Sequence, residues 1–351
     1  MKRWICALVL AVCASAVVMA SELPPLDSDS EPDRIQWWEV EGKFGSTPTP
    51  KAGTKVGVVA KTLTNEYWRL LSDGYRDGGK LMGVAVTIGA AGNEAGQLDQ
   101  LNIAETMIDD QCNAILASPQ SDSNLQPAFE KATSLGIPFI NVNDAVFPSA
   151  INYIGNVQKD NGVRAAKYFI EKFPQGGKFA VIEGQAGVYA ARQRTAGFKE
   201  TMEKLGGGKF AIVASVPGNW DRQLSYDKAN TILIQHPDLL GFYCNNDTMA
   251  LGVVEAVKDR ERLGKTLVIG TDGISAAYDS VNQGELTGTV DSFPVLTGMV
   301  AIDTAIRILA GQKMPRVVST PQALITRENF SRYKNLDIDV LKKNLVEDAK
   351  Q

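Results

Sequence analysis

From Lys55 onward the chain alternates between two patterns. Short apolar runs rich in β-branched residues recur: KVGVVA (55–60), VAVTIG (84–89), NAILAS (113–118) and IPFINV (137–142), then KFAVIEG (178–184), KFAIVASV (209–216), LGFYCN (240–245) and TLVIG (266–270). Between them lie longer stretches with apolar residues at helical spacing, among them Glu66 to Met82, Gln97 to Asp110, Gly187 to Leu205 and Thr248 to Asp259. Strand-like runs alternating with helical stretches predict a parallel sheet covered on both faces. The series runs twice. The predicted fold is therefore α/β, with two similar doubly wound parallel-sheet lobes joined by a multi-strand hinge. The first lobe is expected to comprise residues 55–156 plus 292–320, and the second 157–291 plus 321–351.

The segment ahead of Lys55 reads differently. Lys2 and Arg3 precede an apolar run that ends in Val18-Met19-Ala20, the pattern of a signal peptide cleaved after residue 20. This run is too short and too polar in its flank to be a membrane anchor, and export to the periplasm is expected. Val12 is too large for the residue ahead of a lipid-bearing cysteine, so lipid attachment at Cys13 is not expected. Residues 21–54 are rich in Pro, Ser and acids and read as an extension or solvated linker. Asp27, Asp29, Glu31 and Asp33 alternate as in a calcium loop, but Pro32 and Trp38 stand where that loop needs Gly and Glu. Trp37, Trp38 and Phe44 are costly to leave in water, so part of the extension is expected to pack onto the body or a partner.

Composition adds limits. The 351 residues are 44% hydrophobic and 22% charged, the proportions of a globular protein. Loss of Lys2 and Arg3 takes the formal charge from -4 to -6, which gives no electrostatic reason to expect nucleic acid or an anionic membrane as partner. Cys6 and Cys13 leave with the leader, and Cys112 and Cys244 are expected as unpaired, buried thiols.

In a doubly wound sheet, polar residues just past the carboxyl ends of the strands line one rim, where ligands bind. Here they are Lys61 and Asn65 after the first strand, Asn143 and Asp144 after IPFINV, Asn246 and Asp247 after GFYC, and Asp272 after VIGT. Arg194 begins a helix after VIEGQAG, and Trp220 lies in the loop PGNWDR. Asp247 also reads as a helix N-cap, and Asp272-Gly273 as a turn. As a set these groups suit a polyhydroxylated ligand. Carboxylates, amides and a guanidinium meet hydroxyls that both donate and accept, while Tyr67, Trp68 and Trp220 offer flat apolar faces to a sugar ring.

In order and at family spacing, TLTNEYW, PGNWDR, NNDTMALG and VIGTDG carry a resemblance. From about Lys55 to Phe330 the chain resembles the type I periplasmic sugar-binding proteins of ABC importers, of the ribose and allose group. The resemblance implies ligand contacts from Lys61, Asn65, Tyr67, Trp68, Arg194, Trp220, Asn246 and Asp272. It also implies closure of the two lobes on the ligand and delivery to a membrane permease. At two sugar-contacting positions the chain departs from the family. Asn143 stands where an Asp is usual, with Asp144 next to it, and Ser292 stands in place of a Gln ahead of Pro294. A roomier site that takes ribose weakly is expected.

A second resemblance rests on IQWWEVEGKFGSTPTP and the Tyr67-Trp68 pair. These are similar to the periplasmic protein that hands trimethylamine-N-oxide to a sensor kinase, with Tyr67, Trp68, Trp220 and Phe293 as a cage. That alternative would present a small solute to a sensor or chemoreceptor.

An enzyme is not expected. His236, the only histidine, lies in a turn beside Pro237, leaving no base for a triad and no zinc site. LGGGKF lacks the spacing and hydroxyl of a phosphate-binding loop. The related repressors open with a DNA-reading helical motif, where this chain has a leader and an acidic linker. A monomer with no cofactor and no metal is expected.

Overall fold

The computed structural model describes residues 23–334 and 337–349. The leader and Cys13 lie outside the described residues. In chain order the elements are β1 (Arg34–Gln36), α1 (Val40–Phe44), β2 (Lys55–Thr62), α2 (Glu66–Met82), β3 (Ala85–Ala91), α3 (Gln97–Asp109), β4 (Ala114–Ala117), α4 (Gln126–Ser134), β5 (Phe139–Val142) and β6 (Tyr153–Gly155). There follow α5 (Gln158–Lys172), β7 (Gly177–Glu183), α6 (Tyr189–Gly206), β8 (Phe210–Pro217), α7 (Arg222–Gln235), β9 (Leu239–Cys244), α8 (Asp247–Asp259), β10 (Leu267–Asp272) and α9 (Ser275–Gln283). The chain closes with β11 (Gly288–Asp291), α10 (Pro294–Leu309), β12 (Val317–Ser319), β13 (Ala323–Thr326) and α11 (Ile338–Ala349).

Two sheets result. One has the order β1-β12-β6-β5-β4-β2-β3 and the other β13-β11-β10-β9-β7-β8. Within each, neighbours are parallel, except that β13 runs antiparallel to β11. Every residue of β4 and β5 is buried, as a parallel sheet covered on both faces requires. The chain passes between the sheets three times, after β6, after β11 and after β12. These three crossings lie at element ends, the kind of position that absorbs the backbone change of a hinge. Cys112 and Cys244 are buried and unpaired.

The solvated-linker reading is corrected for the described part of the extension, while its aromatic segment packs on the body as expected. Arg34–Gln36 pair with Val317–Ser319 as the edge strand β1 of the first sheet. The alternating acids are anchors: Glu31 pairs with Arg316 at 2.7 Å, and the Asp33 carboxylate accepts from the Arg316 backbone N–H at 3.0 Å. Trp37 and Phe44 pack against the core, with Trp38 edge-on to Trp37. The tail also differs from expectation. Ile338, Leu341 and Leu345 of α11 pack with Tyr278 of the second lobe and with Phe293 and Leu296 of the first, so the helix touches both.

Candidate ligand-binding site

The rim residues converge where the carboxyl ends of the two sheets face each other. Lys61, at the end of β2, is buried, and its ammonium donates to the Asp144 carboxylate. Asn65 caps α2, accepting from Tyr67 N–H at 3.0 Å, which places Tyr67 and Trp68 in the first helical turn. Their rings meet edge to face at 4.8 Å, and both are buried. From the other lobe, Arg194 in the first turns of α6 spreads its guanidinium over Gln158 Oε1 at 2.9 Å, the Asn245 carbonyl at 2.6 Å and Asp272 Oδ1 at 3.4 Å. It reaches Asp144 of the facing lobe at 4.0 Å. The lobes are thus closed over the site, and Trp220 covers it, its ring 5.9 Å from the Lys61 ammonium.

Two close approaches make this possible. A Cβ on Gly184 would stand 2.0 Å from the Trp220 ring, so that glycine is what lets the indole lie flat on the turn after β7. A Cβ on Gly162 would stand 2.0 Å from the Arg194 carbonyl, so α5 lies directly against the turn of α6 that aims the guanidinium. Backbone strain collects in the same place. Of the eight non-glycine residues with positive φ among the described residues, Asn143, Asp144, Asn219, Trp220, Asp272 and Phe293 ring the cleft or its hinge. Such conformations persist where surrounding contacts over-determine them, and they cluster at ligand clamps.

Burial sets the electrostatics. It raises the Asp272 carboxyl well above the usual range, against the pull of Arg194 and with the help of Asp247 and Asp144. Burial also moves Asp247 up to about 6, although Thr289, Ile274 and Gly273 donate to it. No group of His, Cys, Asp and Glu among the described residues could hold a metal ion.

The other expected residues divide. Asn143 faces the same cluster, but its amide is engaged within the protein. Nδ2 donates to the Tyr67 hydroxyl, and Oδ1 accepts from Tyr153 and from Gln158, each at 3.2 Å. Asn246 uses its Oδ1 to cap α8 at Met249 N–H, 2.9 Å away. Ser292 is buried at the crossing after β11 with its hydroxyl unpartnered.

Several groups were not anticipated. Glu94, in the loop after β3, accepts from Trp68 Nε1 at 3.0 Å and from Asn65 Nδ2 at 3.3 Å. Gln158 and Asn245 hold Arg194. Glu94 follows a strand end, so a stricter reading of the rim would have found it, whereas Gln158 sits on a crossing helix whose place the pattern does not reveal.

Three of the second lobe's helices share one feature at their N-termini, whereas α7 and α8 are capped by their own Asp221 and Asn246. Val157, Val188 and Ile274 precede α5, α6 and α9, and none supplies a side-chain cap. Acids from outside that lobe do so. Asp29 accepts from the N–H groups of Gln158 and Lys159 at 2.9 and 2.7 Å. Asp122 accepts from Tyr189 N–H at 3.1 Å and pairs with Arg192. Glu66 accepts from Ser275 N–H at 2.9 Å.

Two doubly wound lobes, triply connected and closed over a buried polar cleft, define a hinged binding protein. The chain belongs to the periplasmic binding protein domain family, whose family model matches residues 56–313. It is 32% identical over 291 residues to the D-allose-binding periplasmic protein of Escherichia coli K12, covering 79% of this chain and 93% of that protein. To the ribose import binding protein RbsB of Bacillus subtilis 168 it is 30% identical, covering 78% and 87%. Among solved structures, an ABC transporter solute-binding protein from Actinobacillus succinogenes with bound D-allose superposes with a TM-score of 0.76 at 28% identity, covering 80% of this chain and all of that one. One from Agrobacterium vitis with bound D-fucose gives 0.73 at 25% identity, covering 83% and 99%. This is a family of solute-binding proteins, not of enzymes.

Proposed function

We propose that this chain is a periplasmic solute-binding protein that captures a monosaccharide or polyol between its lobes and delivers it to an ABC importer. The observation that carries the reading is the cleft itself. Arg194 pairs with Asp272 in one lobe and Lys61 with Asp144 in the other, Arg194 stands 4.0 Å from Asp144 across the cleft, and the Lys61 ammonium lies near the rings of both Trp68 and Trp220. Charged groups meet hydroxyls in pairs, and the indoles cover the ring's C–H faces. The ligand contacts are assigned to Lys61, Asn65, Tyr67, Trp68, Asp144, Arg194, Trp220 and Asp272. Asn143, Asn246 and Ser292 shape the wall behind them. The protein acts as a monomer in the periplasm after removal of residues 1–20.

Importer delivery is favoured over a sensor because the aromatic segment that suggested a sensor packs onto the protein's own body through Trp37 and Phe44. A thermal-shift screen of pentoses, hexoses, polyols and inositols tests the reading, since a ligand that prefers the folded state raises the melting temperature by mass action. A stabilising sugar or polyol is expected, and a panel with no hit contradicts the proposal.

A further inference from the structure

The cleft holds more negative than positive charge. Lys61 and Arg194 are its buried cations, and each already has a carboxylate partner, Asp144 and Asp272 respectively. Glu94 has none. Its carboxylate accepts only from the neutral donors Trp68 Nε1 and Asn65 Nδ2, and it forms no ion pair among the described residues. Asp247 adds a further acid behind Asp272, held by N–H groups and a hydroxyl.

Glu94 is partly buried, and a carboxylate drawn out of water without a counter-charge is costly; it is relieved either by a proton or by a cation. Burial indeed pushes the Glu94 carboxyl up, and Asp144 adds to the rise while Lys61 opposes it. Glu94 and Trp220 line one cavity of ~520 Å³ at the mouth of the cleft, together with Asn65, Asn219 and Ile274. The space between the two indoles already accommodates positive charge. The Lys61 ammonium lies 5.6 Å from the Trp68 ring centre and 5.9 Å from that of Trp220, within the range of cation–π attraction. A purely cationic ligand would not suffice, because Trp220 Nε1 and Asn245 Nδ2 are buried donors without partners and need acceptors.

We propose that Glu94 is a ligand-contacting carboxylate that selects, within the polyol class, for ligands in which a protonated amine replaces one hydroxyl. The ammonium supplies the missing counter-charge at Glu94, and the remaining hydroxyl oxygens accept from the donors of the opposite wall. This inference rests on the reading of the cleft as a polyol site.

The test is titration calorimetry of D-glucosamine, D-galactosamine, D-mannosamine and an aminodeoxyinositol, each beside its hydroxyl parent, on the full mature chain and on Glu94→Gln and Glu94→Ala. Gln keeps an acceptor for Trp68 and Asn65 and removes only the charge. At least one amine is expected to bind tenfold or more tightly than its parent, with that advantage falling below threefold in both variants. Amines that bind no better than their parents overturn the inference, as does an advantage that survives both substitutions. Binding of the hydroxyl parents alone overturns the amine preference and leaves the polyol reading standing. Binding of neither series overturns both.

Discussion

The acids that cap helices across the cleft give the sharpest prediction about closure. Glu66 and Asp122 belong to the first lobe, and the N–H groups they accept from, Ser275 and Tyr189, begin helices of the second. Opening the lobes breaks both hydrogen bonds and leaves both helix ends uncapped, since Ile274 and Val188 offer no side-chain substitute. Removing an N-cap costs about 1 kcal/mol, and the exposed Arg192–Asp122 pair adds at most a few tenths. In a protein that is open when free, that cost falls on the closed state alone. Apparent affinity then falls by the same free energy, about fivefold for Glu66→Ala or Asp122→Ala and about thirtyfold for the pair. Glu66→Gln, which keeps an acceptor, should retain most of the affinity. Titration calorimetry reads the affinities, and a ligand-free melting scan of the same variants reads stability. Parent-like affinity in the double variant refutes the reasoning. So does a ligand-free melting temperature that falls as far as the weakened binding implies, because these hydrogen bonds would then hold the lobes together whether or not ligand is present.

Other consequences follow from the same geometry. Gly184→Ala should displace Trp220 and weaken ligand binding by about tenfold or more, because the indole would no longer shield the ligand's apolar face from water, with an unchanged far-ultraviolet circular dichroism spectrum; parent-like affinity would contradict the packing at that turn. Arg194→Ala strands Asp272 in a buried site and should cost about 3–5 kcal/mol of stability, read by urea unfolding; a decrease below about 1 kcal/mol would contradict the network. Burial holds the Asp291 carboxyl at about 8 against an ordinary 3.8, despite donation from Tyr278 and Phe293 N–H. The folded state therefore binds more protons than the unfolded one between those values, and stability falls as pH rises through the window, by up to about 1.4 kcal/mol per unit. Urea unfolding at pH 5 and pH 8 checks this: Asp291→Asn should flatten the limb from 6 to 8, and a parent equally stable at both pH values would contradict it.

Much of this was legible in the sequence because parallel strands buried on both faces leave dense apolar runs. The stretch Glu66–Met82 could be bounded at both ends, since Asn65 supplies a cap and Gly83 a left-handed end. The rim residues were legible for the same reason, as each follows a strand that periodicity marks. The short strands were not. β1, β6 and β12 have three residues each, too few to show alternation, and β1 reads Arg-Ile-Gln. Their place comes from pairing with segments distant in sequence, as Arg34 does with Val317. The calcium-like acids misled in the same way, because nothing local shows that Asp29 will meet the start of α5 or Glu31 meet Arg316. Nor could the sequence show that Asn143, a natural ligand contact by position, has its amide engaged by Tyr67, Tyr153 and Gln158.

Whether the cleft is the binding site is decided by a crystal structure of the complex with the tightest-binding sugar or polyol from the screen. The ring should lie between Trp68 and Trp220, with hydroxyls within hydrogen-bond distance of Arg194 and Asp272 from one lobe and of Lys61 or Asp144 from the other. A ligand seated elsewhere, such as in the cavity behind the hinge lined by Trp38, Thr320 and Tyr333, would contradict that assignment.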